Sequence, residues 1–143
     1  MPKSTVSELV RNTTHVLLVD DDPFQLELTT ELLHSLGMDQ VTGVTSGAEA
    51  LRLLGDNPAH FQLLLIDLKM PGMDGFEFMD KLMQLDFPGA LIIVSGQSDD
   101  VKRGAALVAK LHRFSLLGTL SKPLTRSALL ELLAKLPGGN HAA

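Results

Sequence analysis

The sequence predicts an α/β domain, a doubly wound five-stranded parallel sheet with helices on both faces. Two observations carry that expectation. Short runs built largely from Leu, Ile and Val recur along the chain, and the run Leu63 to Ile66 has no polar residue to mark a solvent-facing side. Between the runs lie longer stretches with apolar residues at helical spacing, most of them opened by a residue that caps helices. Strands that alternate with helices in this way build parallel βαβ units.

Residues 1–14 are polar and aperiodic apart from Val6, Leu9 and Val10, and read as a lead-in with at most a short helical turn. The domain is expected over residues 15–136. His15 to Val19 is the first strand, ending in Asp20, Asp21 and Asp22. Asp22 then caps a helix that has Pro23 at its first position and runs to about Leu36. Its inner stripe is read as Phe24, Leu28, Leu32, Leu33 and Leu36, and Gly37 ends it. Gln40 to Val44 is a second, weaker strand. Ser46 and Glu49 form a capping box for a helix through about Leu54, broken by Asn57-Pro58.

The third strand, Leu63 to Ile66, delivers Asp67. Asp74 caps a third helix through about Leu85, and Phe87-Pro88-Gly89 turns the chain. Met79 and Met83, four apart on that helix, are assigned to core packing. The fourth strand, Ala90 to Val94, ends in Ser95-Gly96. Ser98, Asp99 or Asp100 opens a fourth helix with Val101, Ala105, Val108 and Leu111 at helical spacing. The fifth strand, about Leu117 to Leu120, leads into Ser121-Lys122-Pro123. A last helix, Thr125 to Leu136, buries Leu129, Leu132, Leu133 and Leu136, and Pro137-Gly138-Gly139 opens a tail or linker over residues 137–143.

Composition excludes several classes of function. Cys, Trp and Tyr are absent, which removes disulfides and thiolate metal sites. The net charge of −5 argues against general affinity for nucleic acid or anionic membrane. No apolar run approaches the roughly 20 residues that cross a bilayer, and no signal-peptide h-region opens the chain. A cytoplasmic location is the expectation.

The chemistry collects at the strand ends, where open α/β sheets bind their ligands. The first strand gives Asp20 and Asp21, the third Asp67, the fourth Ser95 and the fifth Lys122. In the strand order 2-1-3-4-5 the first and third strands are neighbours, so the acids crowd one crevice with a hydroxyl and an ammonium beyond them. Their repulsion is relieved by a hard divalent cation, and Mg²⁺ favours one or two carboxylates, several waters and a phosphate oxygen. No His–carboxylate pair is evident for proton transfer, and no Gly-rich loop for a nucleotide. What remains is a carboxylate nucleophile able to accept a phosphoryl group.

Four motifs in order, VDDDP after the first strand, D-L-K-M-P-G-M-D-G around the third, Ser95-Gly96 and Lys122-Pro123, make the sequence resemble the receiver domain of two-component response regulators, over about Val16 to Leu136. The resemblance implies a flavodoxin-like fold and a phosphorelay role. Asp67 would be the phosphoacceptor, charged from a sensor histidine kinase or a phosphotransfer protein. Asp20 and Asp21 would form the acidic pair for Mg²⁺, with Asp21 the more direct ligand and the Lys69 backbone carbonyl another. Lys122 would contact the phosphoryl group through a strand end whose Lys122-Pro123 peptide is cis, and Ser95 would be the switch hydroxyl. Lys69 and Gln97 sit where the family tunes the acyl-phosphate lifetime.

The sequence departs from the family pattern twice. Thr119 stands three residues before Lys122, where the family carries an aromatic ring, and the segment between Ser95 and Lys122 is about one helical turn longer than usual. Leu117 to Leu124 resembles receivers fused to cyclic-di-GMP phosphodiesterase (EAL) domains, so an output domain in a longer chain is one expectation; a homodimer is a separate one. Two alternative functions stay open at this stage: a receiver-like module that binds without phosphate, and a Mg²⁺-dependent phosphohydrolase using Asp20 in Asp20-x-Asp22.

Overall fold

The computed structural model describes residues 14–70, 72–96 and 98–136. The expected lead-in helical turn, the role of Gln97 and the Pro137-Gly138-Gly139 stop therefore lie outside the described residues. Among the described residues, five strands and five helices alternate: β1 (Val16–Val19), α1 (Pro23–Ser35), β2 (Val41–Val44), α2 (Gly47–Asp56), β3 (Leu63–Asp67), α3 (Gly75–Gln84), β4 (Ala90–Ser95), α4 (Asp99–Leu111), β5 (Ser115–Ser121) and α5 (Arg126–Leu133). The strands form one parallel sheet in the order β2-β1-β3-β4-β5.

Period-two alternation divides each strand between two cores. Val16, Leu18, Leu63, Leu65, Ile92 and Leu120 face a layer formed by α1 and α5. Leu17, Val19, Leu64, Ile66, Leu91 and Ile93 face the opposite layer, formed by α2, α3 and α4. The central strands β1, β3 and β4 are buried along their whole length, as a parallel strand covered on both faces must be.

The helices start where their caps stand. The side chains of Asp22, Ser46, Asp74, Ser98 and Thr125 each accept a hydrogen bond from a first-turn amide. Gly75 is fixed by a close approach: a Cβ there would lie 2.9 Å from the Leu68 Cα, because the turn after β3 folds tightly back onto the strand.

Four helix readings need correction. In α1, Phe24 is 64% and Leu28 41% exposed; the buried face is Thr29, Leu33 and Leu36, with Leu26 packed beside it. The period was right, but the first two turns present a different phase to the sheet. In α4, Leu111 is exposed, and the stripe closes on Ala109 and the half-buried His112 instead. Met83 is exposed while Met79 is fully buried, since α3 offers a narrow apolar face and Leu82 fills the place beside Met79. The last helix is shorter than the expected Thr125 to Leu136, although all four expected leucines are buried.

The fifth strand is longer than expected, because it begins at Ser115 and contains a bulge. Leu91 pairs with Leu116 and Ile92 with Gly118, so Leu117 is the extra residue. Gly118 follows directly, and a Cβ there would come within 2.7 Å of Leu132 Cδ2 on α5. Phe114 and Leu116 pack against the α2–α4 core, and Leu117 joins the α1–α5 core.

Candidate functional site: an acidic crevice at the strand ends

The acidic groups meet because of strand parity. Asp20 follows Val19 and Asp67 follows Ile66, so both return to the face of Leu18 and Leu65, on the α1–α5 side of adjacent strands. Lys122 follows Ser121 on β5 and returns to that side too. Its ammonium donates to Asp20 Oδ2 at 3.0 Å and to Asp67 Oδ2 at 2.9 Å. The other oxygen of each acid is held by the backbone. The Asp22 amide donates to Asp20 Oδ1 at 3.0 Å, and the Lys69 amide to Asp67 Oδ1 at 3.2 Å.

Asp67 is 5% and Asp20 8% exposed, whereas Asp21 stands out in solvent. Asp20, Asp21 and Asp67 each present one carboxylate oxygen, and these atoms lie within 4.8 Å of one another. The crevice above them, about 590 Å³, is lined by Asp20, Asp21, Asp67, Lys69, Gly96 and Lys122 among others. An all-oxygen donor set of this kind, carrying more negative charge than one ammonium cancels, suits a hard cation such as Mg²⁺.

The electrostatics follow from burial. Removal from water pushes the Asp67 carboxyl above its ordinary value, against the opposing pull of Lys122 and the Lys69 amide, and the charge of Asp20 adds to the rise. Burial alone would lower Lys122, but its hydrogen bonds to Asp67 and Asp20 and their charges together outweigh it. The ammonium is held above its ordinary value and stays cationic at neutral pH.

Four expected site residues, Asp20, Asp21, Asp67 and Lys122, are thus brought together, and the Lys122-Pro123 peptide is cis. Ser95 closes β4 with 1% exposure as the register partner of Ser121. It shares the parity of Ile93, facing the α4 side, and Gly96 rather than Ser95 lines the crevice. Thr119 is half-buried on that same side, paired with Ile93.

Two features of this flank escaped the sequence reading. The Lys102 ammonium, on the first turns of α4, donates to Ser121 Oγ and pairs with Asp99 at 3.1 Å, with its side chain only 14% exposed. That link depends on how α4 is rotated over β5, for which the sequence carries no signal. A His–carboxylate pair also exists after all, His112 Nε2 to Asp80 Oδ1 at 2.8 Å, bridging α4 and α3. It lies beside a separate pocket lined by Met83, Phe87 and Phe114, not in the acidic crevice. No helix among the described residues is long and apolar enough to cross a membrane.

The family profile of the response regulator receiver domain matches residues 16–134. The chain is 30% identical over 135 residues to the two-component response regulator ARR22 of Arabidopsis thaliana, covering 94% of this chain and 91% of that protein. It is 27% identical to two-component system protein A of Emericella nidulans, but spans only 19% of that longer protein. Among solved structures, the receiver domain of the histidine kinase CKI1 from Arabidopsis thaliana, complexed with Mg²⁺ and BeF3⁻, superposes with a TM-score of 0.72 at 25% identity, covering 90% of this chain and 94% of that one. A CheX–CheY–BeF3–Mg²⁺ complex from Borrelia burgdorferi superposes with a TM-score of 0.73 at 22% identity over 85% of this chain and 87% of that one, a likeness of fold. With the family profile covering most of its length and a 30% identical relative covered almost end to end, the chain belongs to the family of response regulator receiver domains.

Proposed function

We propose that Asp67 is the phosphoacceptor of this receiver domain. The observation that carries the reading is its placement: a carboxylate buried at the end of the central strand, held by Lys122 at 2.9 Å and grouped with the oxygens of Asp20 and Asp21. In the transfer, an Asp67 carboxylate oxygen attacks the phosphorus of a phosphohistidine. The new P–O bond forms as the P–N bond breaks, and the imidazole leaves with the bonding pair. The product is an aspartyl phosphate on the chain itself, so the protein is altered by the reaction and is not an enzyme in the ordinary sense.

Asp20, Asp21, Asp67 and the Lys69 backbone carbonyl would hold Mg²⁺. When bound, the ion supplies neutralisation of charge on the transferring oxygens. Lys122 supplies a fixed positive charge at the same point, preorganised by its two carboxylate partners. The backbone amides on Asp20 and Asp67 hold the acids in place, so little reorganisation accompanies phosphoryl arrival. Ser95 is the reading for the hydroxyl that turns toward the phosphoryl group. The Mg²⁺ and BeF3⁻ named for the CKI1 receiver support the ligand set.

The phosphodonor is a sensor histidine kinase or a phosphotransfer protein, consistent with the two-component systems to which the relatives belong, and the setting is cytoplasmic. An EAL-type output domain is read from the pattern around Leu117 to Leu124, and a homodimer is a separate expectation. Incubation with Mg²⁺ and acetyl phosphate, followed by intact-mass measurement, tests the proposal. One phosphate adduct is expected on the native chain and none on Asp67→Asn. A native chain that takes up no phosphate overturns it.

A further inference from the structure

We infer that the space beneath the two buried carboxylates is a binding site for one ordered water molecule, and that Thr29 is the positioning residue that holds it. Below Asp20 and Asp67, on the α1–α5 side of the sheet, lies a cavity of about 20 Å³ walled by Leu18, Leu26, Leu65, Thr29 and the two acids. Space of that size admits one water and no larger ligand.

The case rests on Thr29. It occupies the buried face of α1, between Leu26 and Leu33, with 8% exposure. A threonine within a helix ordinarily satisfies its hydroxyl on the carbonyl four residues back. Thr30 does so, donating to Leu26 O at 2.7 Å. The Thr29 hydroxyl has no such bond to any of the described residues, although it lines the cavity. A buried hydroxyl without a partner is costly, so a polar guest is favoured over a void. The donor and acceptor count also closes. The carboxylates only accept, the hydroxyl can donate, and a water offers two hydrogens and a lone pair to match all three.

Through that water Thr29 steadies Asp20 and Asp67 from behind, opposite the face they present to the crevice. This deepens the metal reading above, and its Mg²⁺ arm rests on that reading; its water arm does not. In the metal-free native protein, a high-resolution crystal structure is expected to show an ordered water within hydrogen-bond distance of Thr29 Oγ1 and both carboxylates. Thr29→Ser keeps it and Thr29→Val, nearly the same in shape, loses it. Mg²⁺ affinity, read by direct titration, is expected to fall about five-fold in Thr29→Val, the worth of one ordinary hydrogen bond, and to recover in Thr29→Ser. A dry cavity in the native protein overturns the inference. So does a Thr29→Val chain that binds Mg²⁺ as tightly as the native one. A native protein that binds no Mg²⁺ sinks the metal reading instead, and the water site is then decided by the metal-free structure alone.

Discussion

The two sides of the sheet's carboxyl end are built on different principles. On the α1–α5 side, Asp20, Asp67 and Lys122 are buried and bonded to one another and to backbone amides. On the α4 side, Lys102, Asp99 and Ser121 make a clasp at the surface, beside Thr119 where the family carries a ring. Binding chemistry needs a fixed charge geometry, so its residues come from rigid strand ends. The clasp joins a helix to an edge strand, where polar contacts are replaceable.

The comparison is broken most sharply at Lys122. Lys122→Met leaves two adjacent buried acids without their cation, and should cost about 2–4 kcal/mol of unfolding free energy without Mg²⁺ at neutral pH. Denaturant unfolding with and without Mg²⁺ checks it, and added Mg²⁺ should recover much of the loss. A loss no greater than that of a surface lysine would show the pair to be ornamental.

Asp67→Asn should move stability the other way. The raised Asp67 pKa means that the folded state resists this charge, so its relative contribution is greatest at low pH and is lost as pH rises through the folded value. Removing the charge should raise the stability of the metal-free protein at pH 7, while phosphate uptake disappears. Native protein and Asp67→Asn should converge near pH 3, which a pair of thermal melts measures.

Lys122 carries the same sign in an alkaline window. With its folded pKa raised, its contribution is fully present below the ordinary lysine value of 10.5 and is lost as pH climbs through the higher folded value. Native protein should therefore lose stability above that point more steeply than Lys122→Met. Parallel alkaline slopes for the two proteins would contradict the assignment.

The smallest effect belongs to the clasp. Lys102→Met should cost under about 1 kcal/mol, as partly exposed ion pairs generally do, yet raise amide hydrogen exchange in the first turns of α4. Unchanged exchange there would show that the helix is held by its apolar face alone.

Much of this contrast could be read in the residues themselves, and the division follows the physics. A run such as Leu63 to Ile66 admits one interpretation, because nothing in it tolerates water on either face. Caps such as Asp22, Ser46 and Asp74 act on neighbours a few residues away, so their signal is local and survives in the sequence. Asp67 was legible because strand parity and the turn after it fix its address. The α1 stripe was misread because Phe24 and Leu28 match the helical period as well as Leu26 and Leu33 do. Only packing against Leu18 and Leu65 selects the phase, and Thr29 was overlooked for the same reason. Lys102 and Ser121, 19 positions apart, meet through the rotation of one helix over a bulged edge strand, which no local pattern encodes.

The alternation along β5 has one more consequence. Ser121 and Lys122 are joined by a single peptide unit but point into opposite layers of the molecule, the hydroxyl toward α4 and the ammonium toward the acids. That unit is tied to the sheet by the Lys122 amide, which donates to Ser95 O at 3.0 Å. The acidic basin and the first turns of α4 are therefore joined by one continuous path of bonds, from the acids through Lys122 and Ser121 to Lys102.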